Sequence, residues 1–280
     1  MLLDALLDTL TDGLKLLPFL FGVYLIIEFI EDRAEDRTVE LINRAGRWGP
    51  VAGAALGVVP QCGFSAAVSN LYAGGLITRG TLLAVFLSTS DEMLPILISG
   101  GAPGAFIGKV LLFKAAAGML VGILVDAAEN RRGRSRTLHE LCQQEDCRCE
   151  DGIFKSALRH TVKIFVFILV ISFAMTVAGG ALGQERLGRL ILNRPVIGEL
   201  LAGLIGLIPN CAASVVLTGL YLEGAMSAGA MLSGLLVGSG VGLLVLLRMN
   251  KDWRDNTRTV GILYVSGVAL GCLANGLGLF

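Results

Sequence analysis

The sequence predicts an all-α integral membrane protein made of two inverted repeats, each with three transmembrane helices and one broken, re-entrant helical hairpin. Three observations predict this. The chain is 54% hydrophobic over 280 residues, with a mean hydropathy of +0.72, too apolar for an ordinary soluble domain. Apolar runs long enough to cross a bilayer core of about 30 Å as helix recur along it. The third observation is a repeat: Leu56-Gly57-Val58-Val59-Pro60-Gln61-Cys62-Gly63-Phe64-Ser65 returns as Ile205-Gly206-Leu207-Ile208-Pro209-Asn210-Cys211-Ala212-Ala213-Ser214. Pro60, Cys62 and Ser65 each stand 149 positions before Pro209, Cys211 and Ser214. The register continues through Tyr72 and Tyr221, Gly75 and Gly224, and Gly80 and Gly229. A Pro, an amide and a Cys that interrupt an apolar run once per half point to a duplicated membrane protein with its site at the interruption.

Taken in order, the first span covers 13–30, with Pro18 as a candidate kink. Asp4, Asp8 and Asp12 precede or open it and share one helical face. Their acidity argues against a cleaved signal peptide, which would open on basic residues. Residues 31–48 are hydrophilic. The mostly apolar stretch 49–75 has 27 residues, roughly 40 Å as straight helix and too long for one upright span. Pro60, Gln61 and Gly63 break it. Each limb covers about 16–20 Å, which suits a hairpin that turns near the midplane. Spans at 80–99 and 104–126 follow, joined by Gly100-Gly101-Ala102-Pro103. A polar loop at 127–157 separates them from a span at 158–181. The segment 196–223 repeats the broken stretch around Pro209, and spans at 225–247 and 259–279 complete the chain. The expected organisation is a first membrane repeat at 1–126, a cytoplasmic Cys-containing loop at 127–157 and an inverted repeat at 158–280.

Charge sets the orientation. The clusters at 31–48, 127–159 and 248–258, with Arg79, hold 16 of the 23 basic residues, and the positive-inside bias asks all of them to be cytoplasmic. That holds only if each broken segment dips in and returns. Each half then has three crossings, an odd number, so the second copy is upside down and the two hairpin tips meet near the midplane. Inverted repeats of this kind serve alternating access.

Formal net charge is zero, so no nucleic-acid footprint is present. The six cysteines do not form a secreted disulfide framework. Cys62 and Cys211 fall at the tips beside Gln61, Ser65, Asn210 and Ser214, with Pro60 and Pro209 making the breaks. Freed carbonyls, amides, hydroxyls and soft sulfur could coordinate a cation or a thiophilic metalloid; the plain alternative is that these cysteines are small packing residues. The run Ser88-Thr89-Ser90-Asp91-Glu92-Met93-Leu94-Pro95 lies in the middle of the third apolar segment. A carboxylate there costs about 2.5–3.5 kcal/mol, so Asp91 and Glu92, flanked by Ser88 and Ser90, are expected to bind an ion, carry a proton or pair with Lys114 or Lys163. A purely structural ion pair is the alternative. Ser239-Gly240 occupies the equivalent place in the second half, so the acids occur once. Asp8, Asp12 and His160 are candidates for an access path, against the simpler reading of interfacial residues. His139, Cys142, Cys147 and Cys149 gather four soft donors in one loop. They could capture a metal, although the C-x4-C-x-C spacing is no standard zinc knuckle and a solvated loop is the alternative.

Together, P-Q-C-G-F-S at 60–65, L-S-T-S-D-E-M-L-P at 87–95, the acidic first span and I-P-N-C-A-A-S at 208–214 resemble a family of prokaryotic ten-helix heavy-metal exporters, labelled arsenic efflux or manganese transport proteins. The resemblance covers the chain except the Cys-rich loop, and counting each hairpin as two short helices gives the family's ten. The residues that match are Pro60, Gln61, Cys62, Ser65, Ser88, Ser90, Asp91, Glu92, Pro209, Asn210, Cys211 and Ser214. It implies export of a metal or metalloid ion across a prokaryotic inner membrane, without a cofactor. The chain has no nucleotide-binding P-loop, so ATP could act only through a partner subunit; the expectation is proton-coupled alternating access, with the ion and the bilayer as partners and homo-oligomerisation open. The alternative substrate is a small organic solute or anion, because half-helix N-termini favour anionic groups. An intramembrane enzyme is disfavoured, since neither tip Cys has a His nearby in sequence to serve as base.

Overall fold

The computed structural model describes residues 48–58, 62–90, 93–129, 196–209 and 212–280, with a few single positions between 18 and 25 and between 154 and 170. Every described element is helical. The first half contributes α1 (Gly49–Gly57), α2 (Cys62–Ala73), α3 (Arg79–Ser88), α4 (Met93–Ser99) and α5 (Gly104–Ala128). The second contributes α6 (Ile197–Gly206), α7 (Ala212–Leu222), α8 (Ala228–Val237), α9 (Val241–Met249) and α10 (Trp253–Gly276). The sequence register of 149 maps the first set onto the second within about one residue at every start.

The correspondence reaches single hydrogen bonds. After α2 the chain turns through Gly75 at φ 74°, after α7 through Gly224 at φ 71°, a left-handed conformation that glycine adopts without a Cβ clash. The Gly75 amide donates to the Tyr72 carbonyl and that of Gly224 to the Tyr221 carbonyl, both at 2.9 Å. Thr78 then caps α3 by accepting from the Thr81 amide at 3.2 Å, as Ser227 caps α8 by accepting from the Ala230 amide at 3.2 Å.

Four described stretches are long and apolar enough to cross a membrane: Arg79–Ser99, Gly104–Ala128, Ala228–Met249 and Trp253–Gly276. The first and third are 75% and 89% buried, the other two 33% each. The α3–α4 and α8–α9 stretches therefore form the centre, and α5 and α10 present leucine-rich outer faces such as Leu112, Leu120 and Leu124. This is a multi-pass membrane protein.

The central stretches correct one expectation. The sequence predicts an unbroken helix over 80–99, with Asp91 and Glu92 in its middle. Instead α3 ends at Ser88, Thr89 is extended at ψ 129°, and helix resumes at Met93. Pro95 supplies the reason: its ring clashes with the carbonyl four residues back and it has no amide to donate, so a helix tolerates it only in the first turn. The hydroxyls of Ser88 and Thr89 close the end of α3 by donating to the carbonyls of Ala84 (2.8 Å) and Val85 (2.7 Å). The span expected at 225–247 is likewise broken, at Gly238-Ser239-Gly240. There Gly240 takes φ 53° and ψ −135°, a backbone open essentially to glycine alone.

Helices approach closely at small residues. A Cβ on Gly80 would strike the Gly122 carbonyl, and the twin pair Gly229 and Gly271 touch in the same way. α1 runs beside α3, with Gly49 at Thr81 and Gly57 at Ser88, while a Cβ on Gly206 of α6 would strike the Gly234 backbone of α8. Because a backbone carbonyl cannot swing aside, Gly206→Ala is expected to destabilise the protein by about 1–3 kcal/mol. Gly219→Ala, with nothing within 4 Å of the new methyl, should be neutral or stabilising. Thermal unfolding of the two variants in detergent measures the difference.

The two halves pack crosswise. Met93 and Leu97 of α4 belong to the apolar cluster of Leu217, Met231 and Leu235 in the second half. Leu243 and Leu246 of α9 belong to the first-half cluster of Tyr72, Leu82 and Phe86. α5 and α10 run in opposite senses. Glu129, just past α5, lies 3.4 Å from Arg258 near the start of α10, whereas Phe106 at the start of α5 packs edge-on against Phe280, 5.9 Å between centroids, beyond the end of α10.

Candidate functional site

The described interruptions converge on one small cavity. Thr89, Ser90 and Met93 line it from the α3–α4 break, and Gly206, Ala213 and Ser214 from the second Pro-amide-Cys break. Gly234, Leu235, Gly238 and Gly240 line it from α8 and the α8–α9 break, and Lys114 from the middle of α5. Ser90, Ser214 and the glycines present hydroxyls and backbone to a site that few side chains crowd. Ser90 Oγ donates to the Ser88 carbonyl at 3.1 Å. Lys114, 1% exposed, donates from Nζ to the Leu235 carbonyl at 2.6 Å.

Of the residues singled out from sequence, Ser90 and Ser214 face this cavity. Ser88 does not: its hydroxyl is turned back onto α3. Ser65, the twin of Ser214, is wholly buried against Gly242 at the start of α9. Pro209 is half-buried and ends the turn after α6. Cys62 opens α2, with its side chain outside the described atoms. Asp8, Asp12, Pro60, Gln61, Asp91, Glu92, His139, Cys142, Cys147, Cys149, His160, Asn210 and Cys211 lie outside the described residues. The cavity nevertheless holds both immediate described neighbours of the Asp91-Glu92 step, Ser90 and Met93. Among the described residues, no three His, Cys, Asp or Glu gather to hold a metal.

Sequence reasoning missed two buried oxygens. Ser239 Oγ in the α8–α9 break and Thr218 Oγ1 in α7 have no hydrogen-bond partner among the described residues, and both residues are at most 1% exposed. An orphaned buried hydroxyl costs free energy unless something else satisfies it. Ser239 carried a signal, as the register twin of Ser90; Thr218 carried one only as the twin of Ser69.

A polar cluster closes one end of the molecule. Arg79 at the start of α3 pairs with Glu129 and with Asp255 of α10. Tyr72 donates its hydroxyl proton to Asp255 Oδ2 at 2.9 Å, and Asn250 Nδ2 donates to the same oxygen at 2.6 Å. Asp126 accepts from the Gly80 amide at 2.8 Å and from Thr78 Oγ1 at 2.7 Å. Register twins of Tyr72 and Asp255 are Tyr221 and Phe106, and these also touch, as rings stacked at 5.4 Å and 7°. One contact is thus made twice, as a hydrogen bond at one end of α5 and as an aromatic stack at the other.

A family model described as 10TM heavy-metal exporter matches residues 2–185. The chain belongs to this 10TM heavy-metal exporter family. The matched stretch contains the first Pro-amide-Cys break, the α3–α4 break and Lys114, so the cavity is lined in part by residues inside the family's own match. No curated protein and no solved structure is similar enough to the chain to match it.

Proposed function

We propose that the protein is a secondary transporter, not an enzyme, which exports a metal or metalloid ion of the manganese or arsenic type across a prokaryotic inner membrane by proton-coupled alternating access. One observation carries this reading: helix breaks from both halves meet at one cavity, lined by Ser90 and Met93, the described residues on either side of Asp91 and Glu92 in the sequence. Irregular backbone at membrane depth is tolerated where it is buried in protein or lines a wet site, and paired broken helices are the usual substrate site of inverted-repeat transporters. The opposed directions of α5 and α10, register twins, support inverted repeats. The starts of α1 and α3 lie together and Tyr72 near the end of α2 meets Arg79, which supports a re-entrant α1–α2 limb pair. In this reading Asp91 and Glu92 hold the ion and exchange protons for it, with Ser90, Ser214 and the tip residues Gln61, Cys62, Asn210 and Cys211 closing around it.

The two halves differ at their seams. Ser69 Oγ in α2 donates to the Gly242 carbonyl of α9 at 2.8 Å. Its register twin, Thr218 Oγ1 of α7, has no hydrogen-bond partner among the described residues, although α7 and α4 share one apolar cluster through Leu217 and Met93.

Lys114 in the cavity wall favours one other reading, transport of a small organic anion. The deciding experiment expresses the protein in a metal-sensitive host and measures tolerance and cellular content of Mn, Fe, Zn, Co, Cd and arsenicals. Lowered content of one ion is expected; unchanged content of every ion ends the metal reading and leaves the anion one.

A further inference from the structure

We infer that Gly238 is a selectivity residue: by lacking a side chain it leaves the Gly234 carbonyl open to the cavity, where an electropositive cargo docks on it. The inference rests on the exporter reading above and adds one atom to that site. The register supplies an internal comparison. Met93, Ser214 and Leu235 of the cavity wall have Gly242, Ser65 and Phe86 as twins. These twins meet directly, since a Cβ on Gly242 would strike both Ser65 and the Phe86 ring, and Ser65 and Phe86 are wholly buried. The counterpart of the cavity is filled by protein.

Gly206, Gly234, Gly238 and Gly240 line the open one, and packing or backbone accounts for three of them. A Cβ on Gly206 would strike the Gly234 carbonyl, and one on Gly234 would strike Leu217 and the Ala202 carbonyl. Gly240 has a positive φ. Gly238 is under neither constraint. Its φ of −66° and ψ of 98° suit residues other than glycine, and its twin Thr89 holds a similar backbone, φ −55° and ψ 129°, with a full side chain. A Cβ on Gly238 would meet the Gly234 carbonyl oxygen at 3.1 Å and its next neighbour only at 3.8 Å.

The two helix ends differ in what meets that carbonyl. At the end of α3 the Val85 carbonyl accepts from the Thr89 amide at 2.9 Å and from Thr89 Oγ1 at 2.7 Å. At the end of α8 its twin, the Gly234 carbonyl, accepts from the Gly238 amide at 2.8 Å, and Gly238 has no hydroxyl to take the second lone pair. Carbonyls in the last turn carry the negative end of the helix dipole, and such helix ends hold cations in transporters. The neighbouring carbonyl shows the same preference, because the Lys114 ammonium donates to the Leu235 carbonyl at 2.6 Å from the cavity wall. The Gly234 carbonyl is the next acceptor, for a metal cation or for the O–H of a metalloid hydroxide.

Transport by proteoliposomes, with Mn²⁺ and arsenite as separate cargoes, tests the assignment. Gly238→Ser and Gly238→Thr each return a hydroxyl that can donate to the Gly234 carbonyl, as Thr89 does to Val85. Each should raise KM about tenfold or more for the cargo carried, the effect of losing one bond to a charged group. Gly238→Ala adds a methyl and no donor, and its KM should stay within about threefold of the unmodified protein. Thermal unfolding within about 4 °C of the unmodified protein identifies the variants that keep the fold. Unchanged KM in a folded hydroxyl variant overturns the inference. An equal rise in Gly238→Ala also overturns it, since crowding alone would then account for the effect, and so does a loss confined to kcat. Transport of neither cargo by the unmodified protein would instead end the exporter reading on which it stands.

Discussion

Arg79→Ala is expected to destabilise the protein by about 3–5 kcal/mol, the usual result of removing one partner from a buried ion pair. The Arg79 side chain is 9% exposed and that of Asp255 3%. Its guanidinium serves two carboxylates, Glu129 and Asp255, so the truncation removes the buried cation they share, and only the exposed Arg258 stays beside Glu129. Tyr72 and Asn250 still donate to Asp255, but neutral donors do not replace a charge. Asp255→Asn should cost less, because Arg79 keeps Glu129. The double variant should cost less than the two single changes combined, since residues in one network are not additive. Denaturant or thermal unfolding of the purified protein gives all three values; a cost under about 1 kcal/mol for Arg79→Ala would show that the pair behaves as a surface bridge.

Asp91→Asn is expected to lower metal efflux at least about 100-fold, beyond the 10- to 100-fold typical of losing a group that only supports a ligand. An acid in the middle of an apolar span is retained at a cost of a few kcal/mol, and Ser90 beside it lines the cavity. Glu92→Gln should show whether one or both acids act: a smaller loss there assigns the ion chiefly to Asp91. Efflux from loaded cells at matched expression reads both. Normal efflux by Asp91→Asn would remove that residue from the site.

Much of the fold was legible in the sequence because duplication repeats local signals. Pro60 and Pro209, Gly75 and Gly224, and Gly80 and Gly229 mark breaks, turns and close contacts, and the helices keep the same register. The break after Ser88 was harder to read. Hydropathy stays high across 80–99, and hydropathy registers burial, not backbone direction. Pro95 was the signal, but it acts on the residues before it, so it marks the start of α4 and not its own position. The crosswise packing of α4 and α9 leaves no local trace, because a leucine reads alike whichever half covers it. The same holds for Arg79 and Asp255, 176 positions apart: Arg79 counts toward orientation, but only the folded chain pairs it with Asp255. The register pointed to Ser239 and Thr218 only as twins of Ser90 and Ser69, since sequence cannot tell a satisfied hydroxyl from an orphaned one.

The exchange of α4 and α9 between the halves bears on how the chain is made. When the ribosome has finished α5, Met93 and Leu97 have been synthesised, but Leu217, Met231 and Leu235, which will cover them, have not. The first half must therefore wait in the bilayer with an uncovered strip, and neither half is a unit that matures alone. A gene split between the repeats would yield two products that complete each other only when made together.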